Sequence, residues 1–132
     1  MRLYEILEPI AEYVGKLKKR ETLTAKGTVR ATIGGYATIC TLTLKPNRDY
    51  AVIGGTDISV SGNDVMNCAL DVKNATIVGG TPGVRTTASG GGGCSTTIYV
   101  KTQGQEGKVN LIGYGYFSGT YNYSGSIIAI EI

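Results

Sequence analysis

The sequence predicts a mainly β domain preceded by one short α-helix, and three observations support this. Near residue 21 the composition changes from a segment rich in Glu, Lys, Leu and Ile to one rich in Thr, Gly, Val, Tyr and Ser. From residue 22 onward, polar and apolar residues alternate. Turn signals about every 8 to 12 residues then separate about eight strand-like segments, which is typical of a sandwich or barrel. We therefore divide the chain into an N-terminal helix at 1–21 and a β-sandwich at 22–132.

The composition argues against most catalytic and nucleic-acid-binding functions. The 132 residues include no His, which removes the commonest general base and the commonest zinc ligand. The net charge of +3 is too small to indicate nucleic-acid binding. No two acidic residues share a short motif that would suggest a carboxylate pair. We expect no enzymatic activity, no catalytic residue, no metal site and no cofactor.

The N-terminal residues argue against export or membrane insertion. No run of 18 apolar residues is present, so we expect no membrane span. Glu5, Glu8 and Glu12 interrupt the segment where a signal peptide would need an uncharged apolar stretch. We expect synthesis in a cytoplasm without a signal peptide. The three cysteines, Cys40, Cys68 and Cys94, are then expected to be free thiols, with Cys94 exposed.

The first 21 residues contain a coiled-coil seam. Its apolar residues are spaced by 3, 4, 3 and 4 positions. Pro9 should either kink the helix or stand in its first turn. The helix could pack on its own domain or self-associate as a stalk, and the narrow, regular seam favours self-association. The seam residues are Leu3, Ile6, Ile10, Tyr13 and Leu17.

The β domain begins with a strand that has one polar face. In 22–33 every second residue is polar, which is typical of a half-buried antiparallel strand. At the other end, Ile128, Ile130 and Ile132 share one strand face, so we expect the last strand to be buried centrally in a sheet. This last strand is predicted at 126–132. The strands between the first and the last are predicted at 36–44, 50–53, 57–61, 65–73, 75–78, 95–101 and 109–117, with a bulge or bend at Gly54 and Gly55.

Two segments are predicted to be loops that carry recognition. The stretch 79–94 contains four consecutive glycines and is expected to be a long exposed loop, in which 84–87 could form a short strand. The stretch 118–125 is expected to be a polar turn. Loops on a rigid scaffold commonly supply binding contacts, so we place any ligand site here.

Four residues of these segments are the candidate ligand-binding side chains. Tyr121 and Tyr123 combine aromatic surface with a polar tip, and Asn122 adds hydrogen-bonding groups between them. Arg85 is the charged side chain of the first loop and could contact an anionic saccharide. The alternative for both tyrosines is packing between strands or between subunits.

Two segments resemble the trimeric tail-fibre and receptor-binding tips of bacteriophages. Residues 44–52, Leu-Lys-Pro-Asn-Arg-Asp-Tyr-Ala-Val, resemble the leucine, x, proline, glycine, x, tyrosine turn that leads into an inner strand of those tips. Asn47 stands where glycine is usual, and two further residues precede Tyr50. Residues 126–132 resemble the closing strand. Such tips often have a jelly roll similar to that of tumour necrosis factor, so the resemblance implies a jelly-roll-like antiparallel sandwich.

The resemblance also implies a function. The chain would be a homotrimeric phage or prophage structural protein, a fibre or spike head located in the virion. Its partners would be other virion proteins and a host cell-surface saccharide or protein, with no nucleic acid and no membrane insertion. The alternative is a bacterial surface carbohydrate-binding module or adhesin.

Overall fold

The computed structural model describes residues 2–18, 20–31, 36–115 and 121–132. One helix precedes seven strands. The elements are α1 (Leu3–Lys18), β1 (Thr22–Ala31), β2 (Tyr36–Leu44), β3 (Asp49–Lys73), β4 (Ala75–Gly80), β5 (Gly83–Thr102), β6 (Gly107–Gly115) and β7 (Tyr121–Glu131). The described part of the chain holds no helix with the length and apolar content that a membrane span needs.

The seven strands form a sandwich of two antiparallel sheets, because β3 and β5 are long enough to cross both layers. The first sheet has the order β1-β7-β3-β5-β4 and uses the first half of β3 with the second half of β5. The second sheet has the order β2-β6-β3-β5 and uses the other two halves. This arrangement confirms the predicted fold class, a mainly β antiparallel sandwich that follows a short helix.

The glycine-rich segment is a strand, so the predicted loop at 79–94 is wrong. Residues 83–94 belong to β5 and pair with β3. The register shifts between Ser59 and Asn63, opposite Ser89 and Gly91, and here the two strands pass from one sheet to the other. Glycine is rare in strands but suits a tight bend at such a corner. Pairing with β3 therefore overrides the weak strand preference of the run.

The core lies between the two sheets. Where the sheets approach each other most closely, glycine leaves room for a side chain of the facing sheet. Tyr50, Val52, Ile98 and Leu111 are fully buried or nearly so. A Cβ at Gly54 would lie 2.7 Å from Leu70 Cδ2 on the facing sheet. Gly54 is thus required by packing within a continuous β3, and the predicted bend at Gly54 and Gly55 is wrong.

The turn between β2 and β3 forms around Asn47, within the predicted turn. Asn47 adopts a left-handed φ of 57°, which Asn tolerates better than most other non-glycine residues. Its backbone N–H donates a hydrogen bond to the Gln103 carbonyl at 2.8 Å. The buried Thr102 hydroxyl donates to the Lys45 carbonyl at 2.7 Å. Asparagine therefore suits the left-handed position of this turn.

The last strand is central, as predicted, but it presents the opposite face to the core. Strand β7 lies between β1 and β3 in the first sheet. Ile127 and Ala129 are fully buried, whereas Ile128, Ile130 and Ile132 are exposed. The alternation continues from Tyr123, which points inward, so odd-numbered residues face the core. The expectation that the apolar terminus is buried is therefore wrong.

The helix runs through Pro9 rather than beginning there. Among its described side chains, Leu3, Ile6, Leu7 and Ile10 are 47–69% exposed. These residues do not pack on the β domain of their own chain. The side chains of Tyr13 and Leu17, the other two predicted seam residues, lie outside the described part of the structure.

Candidate functional site

The structure separates the predicted ligand-binding residues instead of clustering them. Asn122 is exposed on the outer face of the first sheet. Arg85 lies in the half of β5 that belongs to the second sheet, where its Cα pairs with that of Asn67. Tyr121 pairs through its backbone with Ala31 and Val60, and the side chains of Tyr121 and Arg85 lie outside the description.

Tyr123 is a core residue, which corrects the expectation that it lies in an exposed polar turn. Residues 121–125 are part of β7, and Tyr123 is 1% exposed. Side chains alternate along a strand, so Tyr123 faces inward while Asn122 and Ser124 face outward. The alternative reading, packing between strands, fits this tyrosine. The prediction of ligand contact is therefore kept for Asn122 and withdrawn for Tyr123.

A polar groove crosses the outer face of the first sheet at Asn122. Asn122 pairs with Arg30 of β1 on one side and with Ser59 of β3 on the other. The next row places Ser124 beside Asp57. The groove has a volume of about 740 Å³. Small side chains and Gly92 and Gly93 keep it shallow and leave its hydrogen-bonding groups accessible from outside.

An apolar patch occupies the other end of the same face. We define the apolar patch as Ile53, Tyr99, Ile128 and Ile130, which are 37–46% exposed. Ile53 pairs directly with Ile128, and Ala51 lies between Ile130 and Tyr99. The isoleucine alternation near the C-terminus signals this patch in the sequence. The sequence pattern alone does not tell which face of the strand points outward.

The helix joins the sheet at the end that carries the apolar patch. Thr22, the first residue of β1, pairs with Ile130. The backbone N–H of Glu131 donates a hydrogen bond to the Glu21 carbonyl at 3.0 Å. The C-terminal end of the helix is therefore connected to the end of the β domain that carries the apolar patch.

The three cysteines form no disulfide, and none of them lines the polar groove. Cys68 is fully buried and Cys40 is half-buried. Cys94 is half-buried rather than exposed, because it faces the core beside Thr56, whose hydroxyl lies 3.7 Å from its Sγ. Burial raises the pKa of the Cys40 and Cys68 thiols above the ordinary value.

Comparison with known proteins identifies the fold. No family model matches the chain, and no relative was found among curated proteins. The chain is similar to the solved structure of Eiger TNF from S. frugiperda, with 11% identity, 86% of this chain and 92% of that chain covered, and a TM-score of 0.55. The β domain has a TNF-like fold. At this identity the likeness concerns the fold alone.

Two further solved structures are similar at lower scores. The tripod from the baseplate of bacteriophage Tuc2009 is 10% identical, with 83% of this chain and 63% of that chain covered and a TM-score of 0.45. The C-terminal domain of EclA, a sugar-binding protein, is 12% identical, with 79% and 78% covered and a TM-score of 0.48. We base no functional argument on either.

Proposed function

We propose that the chain is the head of a homotrimeric fibre or spike, a non-enzymatic phage or prophage structural protein that binds a host-surface receptor. One observation carries the proposal. The chain exposes two apolar surfaces, the apolar patch of the first sheet and the apolar face of the helix, and the helix is connected to the sheet at the end that carries the patch. A lone chain in water would leave both surfaces hydrated.

The occupant of these surfaces is another copy of the same chain. Large contiguous apolar patches on soluble proteins mark interaction sites, and burial contributes roughly 25 cal/mol per Å². A helix of 16 residues is marginal in isolation and gains most of its stability by packing. Every copy supplies both surfaces. A symmetry axis along the helix would bury the helix seams together and would bring the sheet faces toward one another.

The number of copies follows from the seam. Ile6 and Ile10 occupy seam positions, and isoleucine at both kinds of seam position favours assemblies of more than two helices. The resemblance of residues 44–52 and 126–132 to phage tips supports a trimer and a location in the virion. Other virion proteins would then hold the helical end.

A structural role also suits the chemistry of the polar groove. Among the described side chains that line the groove, Asp57 is the one carboxylate, and Arg30 is the neighbouring cation. General acid–base catalysis commonly needs a second titratable group near the first. The groove instead offers hydroxyl and amide groups, which suit binding.

The proposal is tested by size-exclusion chromatography with light scattering on matched variants. Ile128→Asp places a charge in the apolar patch and should shift the mass from trimer toward monomer. Thr43→Asp places the same charge on the exposed outer face of the second sheet, opposite Lys108, and should leave the trimer intact. Equal masses for both variants would contradict the interface.

The virion setting has its own test. Genes for tail, baseplate or capsid proteins beside the coding gene would support a virion protein. A gene neighbourhood of bacterial surface proteins, together with a monomeric mass, would favour the alternative of a bacterial surface carbohydrate-binding module or adhesin.

A further inference from the structure

The outer face of the second sheet carries a row of aromatic and polar residues that the assembly surfaces leave uncovered. Tyr36 of β2 pairs with Tyr114 of β6, and Tyr114 pairs with Asn67 of β3. Asn67 in turn pairs with Arg85 of β5. Four strands thus place two tyrosines, an amide and an arginine position in one line across the sheet. We call this set the tyrosine row.

The aromatic end of the tyrosine row is open to solvent. Tyr36 is 82% exposed, the largest exposed fraction among the described large hydrophobic residues. The centroids of the Tyr36 and Tyr114 rings lie 4.8 Å apart, with an angle of 46° between their planes. Cross-strand packing contributes to this pair, but it leaves most of the Tyr36 ring free for a ligand.

The polar end of the tyrosine row borders a shallow groove of about 250 Å³. Asn67, Ala69 and Gly83 line it. A Cβ built at Gly83 would have ordinary contacts of 3.7 Å or more, so the missing side chain leaves space rather than relieving a clash. The small residues let a ligand approach the sheet beside the amide of Asn67.

We infer that the tyrosine row binds an oligosaccharide, with one pyranose ring stacked on Tyr36 and its hydroxyl groups directed toward Asn67. Exposed tyrosine gives a sugar ring a flat apolar surface, and an amide both donates and accepts hydrogen bonds. The next row of the sheet is Thr38, Ile112, Ala69 and Gly83. Its one large apolar side chain, Ile112, is half-buried, so this row offers a protein partner little apolar area to bury.

This site deepens the proposed function by naming the receptor class, but it does not require the trimer. It differs from the binding loops predicted from sequence and lies on the sheet opposite the apolar patch. Arg85 is common to both predictions. Its backbone register position is beside Asn67.

The test uses the full-length protein on a microarray of bacterial and eukaryotic oligosaccharides, followed by calorimetry with the strongest hit. Wild type should bind, and Tyr36→Ala should weaken binding per chain by about tenfold or more through the loss of stacking. Tyr36→Phe keeps the aromatic ring and removes only the hydroxyl group, so it should bind like wild type. Loss of binding in this variant would show that the hydroxyl group, and not ring stacking, is required. Asn67→Ala should also weaken binding.

Tyr99→Ala is the matched control, because Tyr99 is a half-exposed tyrosine on the opposite outer face. It should weaken assembly and leave the affinity per chain unchanged. Absence of any bound oligosaccharide, or unchanged affinity of Tyr36→Ala, would overturn the site while the trimer stands. A monomeric wild type that binds through Tyr36 would overturn the trimer and keep the site.

Discussion

The ring of Tyr123 in β7 lies against Gly113 of β6, across the interior of the sandwich. A Cβ at position 113 would come 2.6 Å from Tyr123 Cε1. Tyr123 is 1% exposed, so its ring is enclosed between the sheets. The pair fixes the distance between the first and second sheets at the end of the β domain that carries the polar groove.

Gly113→Ala should destabilise the fold by about 1–3 kcal/mol, because the added methyl group overpacks the site against the ring. Chemical denaturation monitored by circular dichroism measures the change. Gly104→Ala is the control, since a Cβ there meets nothing within 4 Å. Equal stabilities of the two variants would show that the ring does not pack on Gly113.

Tyr123→Ala should lower the free energy of unfolding by about 3–5 kcal/mol, since it removes a large buried side chain. Asn122→Ala changes the adjacent exposed residue and should alter stability by about 0.5 kcal/mol or less. Thermal melting of both variants makes the comparison. If Tyr123→Ala melted like wild type but lost ligand binding, the inward placement of this tyrosine would be refuted.

The double variant Ile6→Asp, Ile10→Asp should weaken assembly, because it places two charges per chain in an apolar seam at a cost of several kcal/mol. Light scattering across a dilution series would detect dissociation at concentrations where wild type stays assembled. Glu12→Lys alters charge outside the seam and should retain the wild-type mass. Unchanged association of the double variant would exclude the helix from the interface.

Stability should fall as pH rises above the ordinary thiol pKa of about 8.5. Burial raises the pKa of Cys68, so the unfolded chain loses this proton at a lower pH than the folded chain does. The unfolded state then binds fewer protons, and the free energy of unfolding decreases with pH. Cys68→Ala should show a shallower decline between about pH 8 and 9.5, whatever its stability at neutral pH. Parallel declines would contradict the burial of the thiol.

The sequence was sufficient for the fold class because the two kinds of periodicity are strong. The helical seam and the alternation in β1 are local patterns, and each follows directly from the geometry of its element. The turn at 45–48 was also predictable, since Pro46 and Asn47 are typical turn residues. The predicted strand at 75–78 corresponds to β4, which pairs with β5.

The errors arose where pairing between distant strands decides the structure. The run 90–93 has almost no strand preference of its own, and only its register with Asp57 and Ser59 in β3 makes it part of a strand. The face of β7 was likewise ambiguous, because Ile127 and Ile128 are equally apolar. The tyrosine row joins positions 36, 67, 85 and 114, which no sequence window contains. The exposure of Tyr36 therefore became visible only in the fold.

Sedimentation equilibrium of the full-length protein tests the central claim, that the chain assembles as a homotrimer, most directly. The account predicts a single species with three times the 13.9 kDa mass of the chain at micromolar concentration. A species with the mass of one chain would contradict it, since both exposed apolar surfaces would then be left without the partner that the proposal assigns to them.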